Sequence, residues 1–130
     1  MNILLFLIPK NTLAFLYDDM TVRQAYEKMR AHNFTAVPLI NRDGEYVGSI
    51  SEGDLLYAIV DNKDNVEDIR LKDIVRKDYI KAVKVDEDVN KLLDMIINQN
   101  FVAVVDDRNI LMGIVTRRSI INHFLKKNSL

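Results

Sequence analysis

The stretch Asn33-Phe34-Thr35-Ala36-Val37-Pro38 returns 67 residues later as Asn100-Phe101-Val102-Ala103-Val104-Val105. Upstream, Asp19-Met20-Thr21-Val22 aligns with Asp86-Glu87-Asp88-Val89 at the same offset. Downstream, Tyr46-Val47-Gly48-Ser49-Ile50-Ser51 aligns with Leu111-Met112-Gly113-Ile114-Val115-Thr116 at an offset of 65, so the second copy has the shorter turn. So many matches in one order imply an internal duplication. A duplicated chain must fold as two equivalent units, and each residue has an internal counterpart to be compared with.

Both copies read β-α-β-β-α. An extended piece (13–17, 80–85) is followed by a helix at 22–32 and 89–99. Val22, Ala25, Tyr26 and Met29 in one copy, and Val89, Leu92, Leu93 and Ile96 in the other, fall on one helical stripe. Thr21 and Asp88 stand where their side-chain oxygens can accept the first free amide protons. Strands are expected at 35–40 and 102–105, then turns Asn41-Arg42-Asp43-Gly44 and Asp106-Asp107-Arg108-Asn109, then strands at 46–50 and 111–115. Helices at 52–60 and 117–127 close the copies. The segment Asp61 to Asn65 reads as a polar linker, followed by a short helix over Val66 to Val75. At about 50 residues neither copy has much core alone. Two sheets packed together around a pseudo-two-fold axis would share one, with two equivalent clefts. The expected class is therefore α/β (α+β). Its segments are an apolar start 1–9, a first repeat 10–60, a linker 61–75 and a second repeat 76–127.

Composition narrows the function classes. The chain has 130 residues, with 18 Lys plus Arg against 19 Asp plus Glu, a balance that speaks against nucleic acid as a partner. Cysteine is absent, which removes thiolate nucleophiles, disulfides and Cys-based metal sites and fits a reducing cytoplasm. His32 and His123 are too scattered for a histidine metal site, the former reading as a helix-end group and the latter as structural or interfacial. The apolar run Ile3-Leu4-Leu5-Phe6-Leu7-Ile8 is far short of the roughly 20 residues that span a bilayer. It is expected as a strand or short helix against the core or a second subunit, and no membrane is implied. Neither Gly-x-Ser-x-Gly nor a Gly-rich phosphate loop occurs, so the expectation is not an enzyme.

The chemistry is concentrated where the last strand of each copy meets its helix. These junctions read Gly48-Ser49-Ile50-Ser51-Glu52-Gly53-Asp54 and Gly113-Ile114-Val115-Thr116-Arg117-Arg118-Ser119. Ser51 and Thr116 can serve simply as helix caps. A helix start also presents free amides and a positive dipole end to an anion. Asp54, one turn on from Ser51, can accept the hydroxyls of a ribose or merely suit the dipole. Arg117 and Arg118 oppose the dipole, a local cost that a bound phosphate would offset; a solvated surface pair is the plainer alternative. Lys10, Lys81 and Lys84 could add charge near the same clefts.

The β-α-β-β-α repeat, Thr35-Ala36-Val37-Pro38 and the two junctions resemble cystathionine-β-synthase (CBS) domains in tandem, over about residues 8–126. The resemblance implies a stand-alone pair, similar to small bacterial cyclic di-AMP-binding proteins, that regulates and does not catalyse. It implies an adenine nucleotide as regulatory ligand, cyclic di-AMP favoured over AMP, ADP or ATP, with no further cofactor required. It places adenine contacts around Leu13, Ala14, Val37, Pro38, Ile80, Ala103 and Val104, with Ala36 and Lys81 among the nucleotide-binding residues. Ser51 and Asp54 would take ribose, and Thr116, Arg117 and Arg118 phosphate; Ser119 replaces the acid in the second copy, so the clefts should be unequal. A homodimer and an effector protein of unknown identity are the implied partners. The alternative is an interaction scaffold whose clefts hold no ligand.

Overall fold

The Gln24 N–H donates to Thr21 Oγ1 at 3.1 Å, and the Thr21 N–H donates to Gln24 Oε1 at 2.9 Å. This reciprocal cap starts helix α1, Val22–His32, in a computed structural model that describes residues 1–32, 35–76 and 80–128. Asn33 and Phe34, the first two residues of the repeat signature, lie outside the described residues. The chain forms two compact units, residues 14–79 and residues 1–13 with 80–130. Among the described residues there are two sheets and four α-helices, a mixed α/β fold.

In the unit 14–79, strands β2 (Leu16–Tyr17), β3 (Ala36–Ile40) and β4 (Tyr46–Ser51) form one sheet in that order. β2 runs parallel to β3, Leu16 facing Leu39, which requires a crossover, and α1 supplies it. β3 and β4 are antiparallel, with Val37 opposite Ile50. Asn41 Oδ1 accepts from the N–H groups of Asp43 and Glu45, and Gly44 takes φ 87°, so the hairpin turn forms as its residues demand. Helix α2, Glu52–Asp61, follows. Val22, Ala25 and Met29 enter the core with Leu16, Leu39, Ile50 and Leu55. Tyr26 does not: at the margin of the α1 stripe, it is 47 % exposed.

The short helix expected over Val66 to Val75 is two 3-10 turns, Val66–Asp68 and Leu71–Asp73, split by extended backbone at Arg70. The cause is tertiary. Leu71 N–H donates to Met20 O at 2.9 Å, Lys72 N–H to Asp18 O at 2.9 Å, and Ile69 O accepts from Val22 N–H at 3.0 Å. Groups that a helix would pair internally are spent on the loop before α1, and Leu71 is fully buried beneath it. Arg76 then forms an antiparallel bridge to Ser49 at the edge of the sheet.

In the other unit, β1 (Ile8–Pro9), β5 (Ala82–Lys84), β6 (Val102–Val105) and β7 (Leu111–Val115) form a sheet of order β1-β7-β6-β5. Asp106 Oδ1 accepts from Arg108 and Ile110 N–H groups, and Asn109 holds φ 66°, the same turn as in the first copy with asparagine in the glycine position. β1 lies antiparallel to β7 with Ile8 opposite Ile114 and Pro9 opposite Gly113. A Cβ at Gly113 would lie inside contact distance of the Ile8 carbonyl oxygen and 2.9 Å from Leu7 Cδ1, so the approach requires glycine. The apolar start is a 3-10 turn, Ile3–Phe6, whose Ile3 and Phe6 are buried; Phe6 meets the His123 ring edge-on at 5.1 Å. His123 is thus structural, as expected.

Helix α3, Val89–Ile96, stops short of the expected Gln99, and α4 runs Arg117–Asn128. Gln99 instead folds its amide back, donating to Lys81 O and Phe101 O and accepting from Lys81 N–H. The bridges also expose an equivalence hidden in the sequence. Ser49 and Ile114 differ by 65, the repeat offset, and their partners are Arg76 and Ile8. The segment before residue 77 therefore edges one sheet as the N-terminal segment edges the other.

Candidate functional site

Each last strand delivers its chain into a helix through a hydroxyl residue. At the β4–α2 junction Ser51 Oγ accepts from Asp54 N–H at 3.1 Å and Asp54 Oδ2 accepts from Ser51 N–H at 2.8 Å. This is a complete capping box, with aspartate as the reciprocal acid. Asp54 Oδ1 also pairs with Arg76 Nε at 2.8 Å. Both carboxylate oxygens are engaged, and the side chain is only 10 % exposed.

The β7–α4 junction repeats the geometry in neutral form. Ser119 N–H donates to Thr116 Oγ1 at 3.0 Å and Thr116 N–H donates to Ser119 Oγ at 2.9 Å. Ser119 thus keeps the capping role of Asp54 without its charge. The two neighbouring arginines part ways. Arg117 donates through Nε to Ile96 O at 2.9 Å and through Nη2 to Ile97 O at 2.8 Å, closing the end of α3. Arg118 is exposed and lines, with Thr116, Ser119, Asn122 and Lys126, an open depression of about 410 Å³ against Leu5 to Ile8. Among the described residues Arg118 and Lys126 line it together with His123 and no carboxylate does, at the start of a helix of 12 residues.

The residues expected to hold adenine differ in access. Leu13 and Ala14 are half-buried, as is Ala36 at the start of β3. Val37 and Pro38 are buried, and so are Ile80, Ala103 and Val104, with the Val37 and Val104 side chains packed into the cores of their own units. β-strand residues of this kind can offer a ligand chiefly backbone. Lys81 is exposed, its backbone tied in both directions to the Gln99 amide. Lys84 on β5 is exposed too.

Two participants were not legible beforehand. Arg76 could have been found only by matching it to Ile8 across the repeat, a pairing the alignment of motifs does not reach. Lys126 lies two helical turns beyond Arg118 on one face of α4, and only that spacing signals it. A larger open depression of about 710 Å³ lies in the unit 14–79 and is lined by Asp19, Arg42, Arg70 and Lys72. Arg42 is held there, donating to Asp19 Oδ2 at 2.7 Å and Oδ1 at 2.9 Å while stacked over Tyr17. The Arg42 guanidinium keeps the Asp19 carboxyl below its usual range.

A CBS domain profile matches residues 8–61 and 71–126, one match per repeat. The chain belongs to the CBS domain family. An uncharacterised protein of Methanopyrus kandleri is 31 % identical over 105 residues, 79 % of this chain and 53 % of its own length. The chain thus spans about half of that relative. A CBS domain protein from Streptococcus pneumoniae superposes with a TM-score of 0.85 at 25 % identity, covering 94 % of this chain and 85 % of its own. CbpB of Listeria monocytogenes, solved in complex with c-di-AMP, superposes with a TM-score of 0.83 at 20 % identity, covering 93 % and 92 %. CBS domains are regulatory nucleotide-binding modules, and in this chain the repeats, the fold and the two strand–helix junctions are those of a CBS pair. None of the described helices is long and apolar enough to cross a membrane.

Proposed function

We propose that this CBS pair binds an adenine nucleotide at its strand–helix junctions, with cyclic di-AMP the favoured ligand, and passes occupancy to a partner protein in the cytoplasm without turning the ligand over. The observation that carries the reading is the pair of matched junctions. Each sets a capping hydroxyl at a helix start, and one adds Arg118 and Lys126, which with His123 line a depression that no carboxylate among the described residues lines. Arg118 is the phosphate ligand of choice, because Nε and Nη2 of Arg117 are committed to α3. Adenine would be read by backbone along β3 and β6 and by the half-buried Leu13, Ala14 and Ala36.

The likeness to Listeria CbpB supports cyclic di-AMP. Asp54 favours a second reading, an AMP, ADP or ATP sensor. Its carboxylate suits the free 2′,3′-diol of a mononucleotide, whereas cyclic di-AMP offers one free hydroxyl per ribose. Exposed apolar side chains on the helices, Leu56, Tyr57 and Val60 on α2 and Ile121 and Leu125 on α4, supply each unit with a face for a second copy of the chain. The test is thermal unfolding with a nucleotide panel. A ligand held at 100 times its Kd and bound only by the folded state adds about 2.7 kcal/mol. A rise in Tm with cyclic di-AMP, and a smaller one with AMP or ATP, is the expected result. No shift with any of them would leave the scaffold reading in its place.

A further inference from the structure

The Asp54–Arg76 contact ties the proposed ribose acid to a cation that no motif contains. The acid is 10 % exposed and the guanidinium 45 %, so a ligand approaching Asp54 meets Arg76. The repeat provides a control. The counterpart of Asp54 is Ser119, and the sheet-edge counterpart of Arg76 is Ile8. Acid and cation occur together in one unit and are both absent from the other. The second unit instead carries its guanidiniums at Arg117 and Arg118, where the first has Glu52 and Gly53.

We propose that Arg76 sets the preference of the β4–α2 junction for a nucleotide over a nucleoside, by yielding Asp54 to the ribose and pairing with the phosphate. The inference rests on the nucleotide reading of this junction. The Arg76 backbone is fixed by its bridge to Ser49, which is buried, so only the side chain needs to swing. A nucleoside that takes the Asp54 oxygen breaks an ion pair and supplies no anion in its place. A nucleotide breaks the same pair and replaces it with a charge-assisted, bidentate one. The Ser51 N–H keeps Asp54 Oδ2 throughout, so the acid stays positioned while Oδ1 changes partner.

The experiment is calorimetric titration of wild type and R76M with AMP and with adenosine. A charged hydrogen bond lost on one ligand alone should lower the AMP-to-adenosine affinity ratio by roughly ten- to a hundredfold in R76M. A ratio within about threefold of wild type, less than a single such bond supplies, overturns the proposal. A second measurement needs no variant that might unfold. In wild-type protein labelled with ¹⁵N-arginine, saturating AMP should shift the Arg76 Nε–H resonance, assigned with R76K, and an unmoved resonance overturns it. Wild type that binds neither AMP nor cyclic di-AMP overturns the nucleotide reading itself, whereas normal binding with an unchanged ratio overturns the role of Arg76 alone.

Discussion

Replacing Gly113 by alanine should unseat the N-terminal segment from the sheet. The new Cβ would lie inside contact distance of the Ile8 carbonyl oxygen and 2.9 Å from Leu7 Cδ1, so the backbone of β1 must retreat. If β1 shifts and stays paired, the loss is about 1–3 kcal/mol, the usual cost of overpacking. If residues 1–9 detach, Ile3 and Phe6 give up burial worth about 1.5–3 kcal/mol each, partly offset by the chain entropy released. The two routes together place the destabilisation at about 1–4 kcal/mol. Gly53→Ala is the control. Its Cβ would meet only Ser51 Oγ, at 3.6 Å, in the first turn of α2, so the alanine should gain about 0.5–1 kcal/mol from helix propensity. Urea unfolding followed by circular dichroism at about 222 nm, where the helix signal dominates, reads both variants. Limited proteolysis distinguishes a shift from detachment by cleavage within residues 1–13. A G113A midpoint equal to wild type would refute the close packing of β1 on β7, and a destabilised G53A would refute the open space around Gly53.

The paired arginines should separate. Arg117→Ala should cost about 1 kcal/mol of stability by uncapping α3, while Arg118→Ala should leave the urea midpoint unchanged and weaken nucleotide binding by roughly tenfold or more. Leu71→Ala should cost about 2–5 kcal/mol by emptying a fully buried site under the loop before α1, measured by the same unfolding curves. Asp19 and Asp106 should titrate by NMR below the usual aspartate value of about 3.9, Asp19 through Arg42 and Asp106 through the Ile110 and Arg108 N–H groups. Because their folded-state pKa values are depressed, any stability they add is present at neutral pH and fades as pH falls through those values; Arg42→Gln should return Asp19 toward its ordinary pKa.

The elements that follow from local rules were legible. Helix α1 begins and ends where its cap and apolar spacing place it, and β6 and β7 have the bounds expected for apolar runs on either side of the turn at 106–109. What escaped depends on partners distant in the chain. The 66–75 segment has helical spacing, but the Asp18 and Met20 carbonyls claim its N–H groups. α3 stops early because the Gln99 side chain and the Arg117 guanidinium satisfy the backbone around its end. The hydroxyl caps at the junctions were visible as residue types, and Ser51 and Thr116 sit in them as caps. Which arginine bonds the α3 carbonyls was not visible, because Arg117 and Arg118 differ only in helical phase. Arg76 was hidden for a further reason: its role is fixed by a sheet-edge register that the repeated motifs do not include.

The most direct test of the nucleotide reading is isothermal titration of the purified protein with cyclic di-AMP, AMP and ATP in parallel. Saturable binding of cyclic di-AMP, tighter than that of either mononucleotide and weakened by Arg118→Ala, is the predicted result. Absence of binding by all three nucleotides would contradict the account.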